Sequence, residues 1–293
     1  MSSTNSRHLY PVLAMMLGAG MWGIAWYPIR LLEDGGLHGL WQLLLLYGAA
    51  LIVALPWTWR SVGDFGRAPG PVAIMILAGG WTNVGFVLAV LDGNVLRVLL
   101  LFYLSPLWAT LLGRLFLHET ISRTAAASLA LAMIGAVVML WNPEQALPWP
   151  QGTSDWLALS AGFAFAIANA AARKAQQVPV ASKILCILIG VIVIAAALIV
   201  SAATSLPRIG PSIFVGAVAL GVGGILVMTV LVQYAVTHIP VHHSAVLALI
   251  ELVAGAISQQ LLTDEIVTLR EWIGGALIVL GAYLTARAAA KAH

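Results

Sequence analysis

Glu251 lies about halfway along an apolar run, HHSAVLALIELVAGAISQQLL, covering residues 242–262. At that depth in a hydrocarbon solvent a charge costs at least about 2.5–3.5 kcal/mol on insertion scales. Such a carboxyl must be protonated, paired or turned toward water. Its open roles are to hold a substrate ammonium group, to carry a coupling proton, or to salt-bridge to Arg97 or Arg114. A carboxyl hydrogen-bonded between helices is the purely structural alternative.

Pro106 is the second unusual position, in the middle of LFYLSPLWATLLGRLFLHETIS, residues 101–122. A mid-helix proline removes one backbone donor, frees the carbonyl four residues earlier (here Phe102) and kinks the helix. The expectation is a hinge, or an acceptor for a substrate ammonium, set against a static kink. Pro28 and Pro240 fall near span ends and read as boundary residues.

Aromatic and amide side chains supply the remaining candidates. Of eleven tryptophans, Trp22, Trp26, Trp81 and Trp108 lie deep in apolar runs. With Phe86, Tyr103, Phe163 and Phe165 they can line an aromatic cavity that accepts apolar groups, or serve as packing and lipid-facing residues. The other seven tryptophans (41, 57, 59, 141, 149, 156 and 272) lie near run ends, where an interfacial belt is expected. Asn83, Asn169, Gln233 and Tyr234 are hydrogen-bonding side chains within apolar runs. They can bind a zwitterionic headgroup or join helices, the latter being the commoner use. His242 and His243 have no Cys or acidic neighbour at metal-ligand spacing, so no metal site is expected. No phosphate-binding loop, HExxH or serine-nucleophile motif occurs, and no nucleophile–base constellation is visible. The chain is thus read as a non-enzyme without cofactors.

These residues need elements that lipid can surround. Hydrophobic residues make up 61% of the 293, and charged residues only 9%, with a mean hydropathy of +0.98. A soluble domain carries about 25% charged residues, so this chain must present its surface to lipid. The pI of about 9.2 comes from scattered basic residues that form no patch, which argues against nucleic acid. Cys186 is the single cysteine and reads as a small packing residue.

With about 20 apolar residues needed per span, ten spans emerge at about 9–30, 36–58, 70–91, 95–117, 122–142, 154–175, 182–204, 211–237, 242–262 and 269–287. The first is too long for a signal-peptide core, which runs to about 15 residues, and reads as a true first helix. Thr268 and Glu271 have capping-box spacing for the tenth. With the N-terminus in the cytoplasm, ten of the fourteen Lys and Arg residues lie at or near the inner side, with Arg30, Arg97, Arg208 and Arg270 outward. The bias predicts both termini inside.

Residues 104–140 repeat at 250–286 with a constant offset of 146, which places Glu119 on Glu265 and Gly135 on Gly281. Five spans per copy is an odd number, so the second copy enters the membrane from the opposite side. The expected fold is an all-α polytopic membrane protein of ten helices in two inverted-topology five-helix repeats, 1–146 and 147–293, joined through the connector 142–153. Inverted repeats are characteristic of transporters with a pseudo-symmetric central site. Glu119 and Glu265 are expected to cap the helix that follows each, or to fix the turn.

Trp22-Gly23 with Arg30 eight residues on, the Pro106 segment and its weaker second copy resemble the EamA branch of the drug/metabolite transporter superfamily. The resemblance covers nearly the whole chain. Length and aromatic content are most similar to YddG-type exporters of aromatic and other amphipathic amino acids. Two departures stand out. Pro106 aligns with Leu252, beside Glu251, and Trp22 aligns with Phe165 when Arg30 is matched to Arg173.

The resemblance implies export, which residue chemistry alone does not supply. The expected activity is alternating-access transport of small amphipathic metabolites, amino acids with aromatic or hydrophobic side chains favoured, across a bacterial inner membrane. Proton coupling is left open. The cavity is expected between the first, third and fourth spans and the sixth, eighth and ninth. Its candidate lining is Trp22, Trp26, Trp81, Asn83, Phe86, Tyr103, Pro106, Trp108, Phe163, Asn169, Gln233, Tyr234 and Glu251. Multidrug or other metabolite efflux is the alternative on the same fold. A membrane-embedded enzyme or scaffold is the rival from another class, and a channel is disfavoured by the absence of a filter loop or charged ring.

Overall fold

The computed structural model describes residues 3–93, 95–141, 150–264 and 266–291. Glu265 and most of the 142–153 connector, including Trp149, lie outside the described residues. Among the described residues every regular element is helical, and ten helices are long and apolar enough to cross a membrane. The first three run over Ser3–Asp34, Gly39–Thr58 and Pro69–Asp92. The fourth is in two pieces, Val95–Phe102 and Ser105–Phe116, and the fifth covers Arg123–Leu140. The sixth and seventh are Thr153–Lys174 and Val180–Ser201. The eighth, Pro211–His238, contains a π-helical segment at Gly221–Leu226. The ninth is again in two pieces, Val241–Ala248 and Ile250–Leu262, and the tenth is Leu269–Lys291.

Helices are the form in which an apolar segment can satisfy its own backbone away from water. Their starts are marked by polar caps or prolines. Ser122 accepts from the Ala125 amide at the fifth helix. Thr268 and Glu271 exchange bonds at the tenth, the Glu271 carboxylate accepting from the Thr268 amide at 2.7 Å, the reciprocal box that the spacing predicts. Pro69 and Pro211 occupy first turns, where a missing N–H costs nothing. Beyond Thr58 the second helix tightens into a 3₁₀ segment, Trp59–Arg67, with Arg67 bridged to Asp64 at 2.9 Å.

The fifth and tenth helices pack through their equivalent glycines, and they do so reciprocally. A methyl at Gly135 would meet the Gly274 carbonyl oxygen at 2.6 Å and Ile278 at 3.0 Å. A methyl at Gly281 would meet the Ser128 carbonyl oxygen and the Ala132 methyl, both at 2.9 Å. The offset of 146 carries Gly135, Ser128 and Ala132 onto Gly281, Gly274 and Ile278. Each helix therefore uses the same face against the other, as in a two-fold contact.

The main buried cluster sits between the first, second, seventh and eighth helices around Tyr47, Leu188 and Met228. A second surrounds Tyr103 and Leu249, between the fourth, fifth, ninth and tenth. Cys186 is buried in a third, beside Met75 and Val236.

Candidate functional site

The fourth and ninth helices break at equivalent places. In the fourth, Leu104 N–H bonds to the Leu101 carbonyl and Leu107 N–H to that of Leu104; in the ninth, Leu249 bonds to Val246 and Leu252 to Leu249. These three-residue steps tighten each helix and restart it. Only one of the two breaks has a proline. Pro106 sits in the first turn of the restarted helix, not at the break, a position where proline is well tolerated. The kink expected from Pro106 is thus matched in the ninth helix, which has Leu252 in its place. The carbonyl of Phe102 lies against Gly162 of the sixth helix, so it faces protein packing.

The break also makes Glu251 a first-turn residue of the restarted ninth helix. A negative charge is favoured at a helix N-terminus, which offsets part of the cost of placing it at this depth. Its carboxyl faces the Tyr103 hydroxyl within hydrogen-bonding reach. Arg97 pairs instead with Asp155 of the sixth helix at 2.7 Å, and no ion pair joins Glu251 to Arg114 among the described residues. The salt-bridge role for Glu251 is therefore set aside. Gly23 brings the first helix directly onto the backbone of Glu251, and this close approach sets Trp22 and Trp26 beside it.

Two connected chambers meet at this centre. A wide one of about 540 Å³ runs from Glu251 to the ends of the first and third helices, reaching Arg30, Glu33 and Glu271. Its lining there includes the exposed side chains of Leu91 and Val95. A narrow one of about 150 Å³ runs the other way, toward Asn169 and Gln233. Trp22, Tyr47, Asn83, Phe86, Tyr103 and Glu251 line both.

Nine of the thirteen candidates from the sequence line these chambers. Trp22, Asn83, Phe86, Tyr103 and Glu251 are shared, Trp26 faces the wide chamber, and Pro106, Asn169 and Gln233 face the narrow one. Four do not line either. Trp81 donates to Ser160 at 3.1 Å in the contact with the sixth helix. Trp108 and Phe163 pack edge to face, with Phe163 exposed on the outside of the bundle. Tyr234 stacks on His238. Helix rotation separates these groups, and apolar runs that are hydrophobic all round conceal it.

The second helix contributes residues that sequence reasoning missed. Tyr47 is fully buried and donates to the Asn83 carboxamide oxygen at 2.7 Å. Gln42, on the same helix, donates to the Ile29 carbonyl at 2.8 Å. A Tyr and a Gln within LWQLLLLYGAALIVAL were the available signal. Trp26 is fixed by donating to Ser258 at 2.9 Å. The π-helical segment lies just before Thr229 and Gln233 and resets the face that the eighth helix presents, a common device at functional sites.

At the end of the bundle away from the wide chamber, polar contacts join the two halves. His118 adopts a left-handed backbone (φ 54°), and Glu119 N–H bonds back to the Gly113 carbonyl. The Glu119 carboxylate then accepts from the Val241 amide at 3.1 Å and 3.2 Å and bonds to His242 Nδ1 at 3.0 Å. The Arg173 guanidinium is 3.7 Å away and donates to the Thr237 carbonyl at 2.7 Å. Fully buried Lys183 donates to the Ala172 carbonyl and the Thr237 hydroxyl. Glu119 therefore caps the ninth helix, and Ser122 caps the helix that follows, which corrects the expectation that Glu119 caps that following helix. Burial pushes the Glu119 carboxyl up, but its bonds to His242 and Val241 and the nearby charges of His242 and Arg173 outweigh it and hold the carboxyl below its ordinary 4.5.

The EamA-like transporter family is matched twice along the chain, by residues 9–141 and by residues 152–287. An uncharacterized transporter of Vibrio cholerae serotype O1 is similar at 31% identity over 133 residues, which is 41% of this chain and 42% of that protein. The alignment thus spans under half of that relative's length. A crystal structure of another protein superposes with a TM-score of 0.74 over 95% of this chain and 96% of that one. At 16% identity that likeness is one of fold.

Proposed function

The chain belongs to the EamA-like transporter family, a family of multi-pass membrane transporters rather than enzymes, and from that premise we propose that it exports small amphipathic metabolites bearing an ammonium group. Amino acids with aromatic or hydrophobic side chains are the first class, as in YddG-type exporters. The observation that carries this reading is Glu251, an acidic group at the junction of two aromatic-walled chambers with no cation paired to it among the described residues. A substrate ammonium supplies the missing charge, and Trp22, Trp26 and Phe86 receive the apolar body, with cation–π attraction adding to the fit.

The site works by alternating access between two bodies, residues 1–146 and 147–293, in the inner membrane of a bacterium with both termini cytoplasmic. With that orientation the wide chamber faces outward and the Glu119 contacts close the cytoplasmic side. Glu251 also takes up the coupling proton when no substrate is bound. The size of the wide chamber favours a second reading, efflux of bulkier drugs or other metabolites by the same route.

The test is uptake into proteoliposomes of a panel of labelled amino acids and aromatic amines, with and without a pH gradient. Saturable uptake of aromatic or hydrophobic amino acids supports the first reading. Uptake confined to bulky drugs supports the second, and no uptake of any ammonium compound overturns the substrate class.

A further inference from the structure

The narrow chamber is lined by three almost wholly buried side chains that make no side-chain hydrogen bond among the described residues. Ser105, Asn169 and Gln233 are 3%, 4% and 5% exposed, and none bonds to another described residue. Gln233 Oε1 is sealed from solvent entirely. Their neighbours on the same wall are satisfied within the protein. Asn83 donates to the Gly79 carbonyl and accepts from Tyr47, Thr82 donates to Ala78, and Thr229 donates to Ile225. Buried polar groups are nearly always bonded, so three open ones from the fourth, sixth and eighth helices, converging on one small space, mark a place for a ligand.

The charge pattern narrows its chemistry. Among the described residues, Glu251 is the only charged side chain lining the narrow chamber. The rest of its polar capacity is neutral, comprising the amide N–H groups of Asn169 and Gln233, the Ser105 hydroxyl and the Asn169 carboxamide oxygen. A bare amine would use the acceptors and leave the donors empty. A headgroup with an ammonium and a carboxylate on one carbon uses both. We propose that the narrow chamber is the headgroup subsite for an α-amino acid, its ammonium on Glu251 and its carboxylate on the donors of Asn169, Gln233 and Ser105. This deepens, and rests on, the transport reading above. The side chain is left to the wide chamber, so the larger volume sets which side chains fit and the smaller one demands the zwitterion. Neutral donors hold the carboxylate without a fixed positive charge, which leaves it free to depart.

The test measures binding of phenylalanine and of phenethylamine, which lacks the carboxylate, to the full chain in nanodiscs. Asn169→Leu and Gln233→Met keep side-chain size and remove the donors. Ser105→Ala removes one donor with minimal change in shape. Each donor variant is expected to weaken phenylalanine about tenfold, roughly one good hydrogen bond, and to leave phenethylamine within about twofold. Equal weakening of both ligands, or of neither, overturns the subsite while leaving the transport reading intact. Failure of the wild type to bind either ligand overturns the transport reading, and the subsite with it.

Discussion

The carboxylate of Glu119, in the turn after the fourth helix, accepts the backbone N–H of Val241, the first residue of the ninth, at 3.1 and 3.2 Å. An acid at a helix N-terminus meets both an unsatisfied donor and the positive end of the helix dipole. Here the acid and the helix come from different copies of the repeat, so the contact fastens the two copies at the end away from the wide chamber. His242 and Arg173 reinforce it.

Glu119→Gln should therefore destabilise the closed end. Loss of a charged acceptor costs about 1–3 kcal/mol, read as a lower melting temperature of the detergent-solubilised protein. The folded value of Glu119 lies below its ordinary 4.5. Its contribution is then fully present above the unfolded value and is lost as pH falls through the lower folded value. The difference between wild type and variant should shrink as pH falls below about 4. A difference that persists or grows below about pH 4 would contradict the assignment.

Gly135→Leu should destabilise by about 1–3 kcal/mol or more, as overpacking does, because even a methyl there reaches the Gly274 carbonyl at 2.6 Å. Gly281→Leu should match it, since the two positions play the same part on opposite helices. Gly66→Ala, with open space around it, is the control. Melting temperatures of the three variants decide the matter, and unequal effects at Gly135 and Gly281 would count against the reciprocal packing.

Tryptophans should divide by chamber. Trp22→Leu and Trp26→Leu remove aromatic wall and should weaken substrate binding by about tenfold, within the range of an aromatic contact plus its buried area. Trp81→Phe and Trp108→Phe lie off both chambers and should leave affinity unchanged. Competition binding against one labelled substrate measures all four, and a loss at Trp108 equal to that at Trp22 would refute the division.

Tyr47→Phe leaves the ring in place and removes the donor to Asn83. The Asn83 oxygen is then open to the chamber, and its side chain loses the contact that orients it. Substrate affinity should fall several-fold, by about 1 kcal/mol, with the melting temperature little changed. An unaltered affinity would show that Asn83 needs no orientation from the second helix.

Much of this architecture was legible in the residues. Ten apolar runs at bilayer length have few alternatives to helices, and the capping box at Thr268 and Glu271 marked the tenth helix correctly. The depth of Glu251 flagged the centre because an acid there is costly wherever it points. Rotation about the helix axis was not legible. Trp22 and Trp81 are equally deep and equally aromatic, but only packing decides that one faces a chamber and the other faces Ser160. The break in the ninth helix gave no residue-level sign, because Leu249 and Leu252 are ordinary helix formers and tertiary context restarts the helix there. From sequence Glu119 can only be expected to cap the helix that follows it or to fix the turn, because a sequence cannot display a partner 122 residues away.

The proposed transport rests on Glu251 holding the ammonium group or the coupling proton. Its most direct test is uptake of labelled phenylalanine into proteoliposomes by wild type and Glu251→Gln across pH, with melting temperatures confirming that both are folded. The variant is expected to lose at least about tenfold in uptake, the scale of one desolvated charge-assisted bond, and to show a flattened pH profile. Unchanged rate and unchanged pH profile would contradict it.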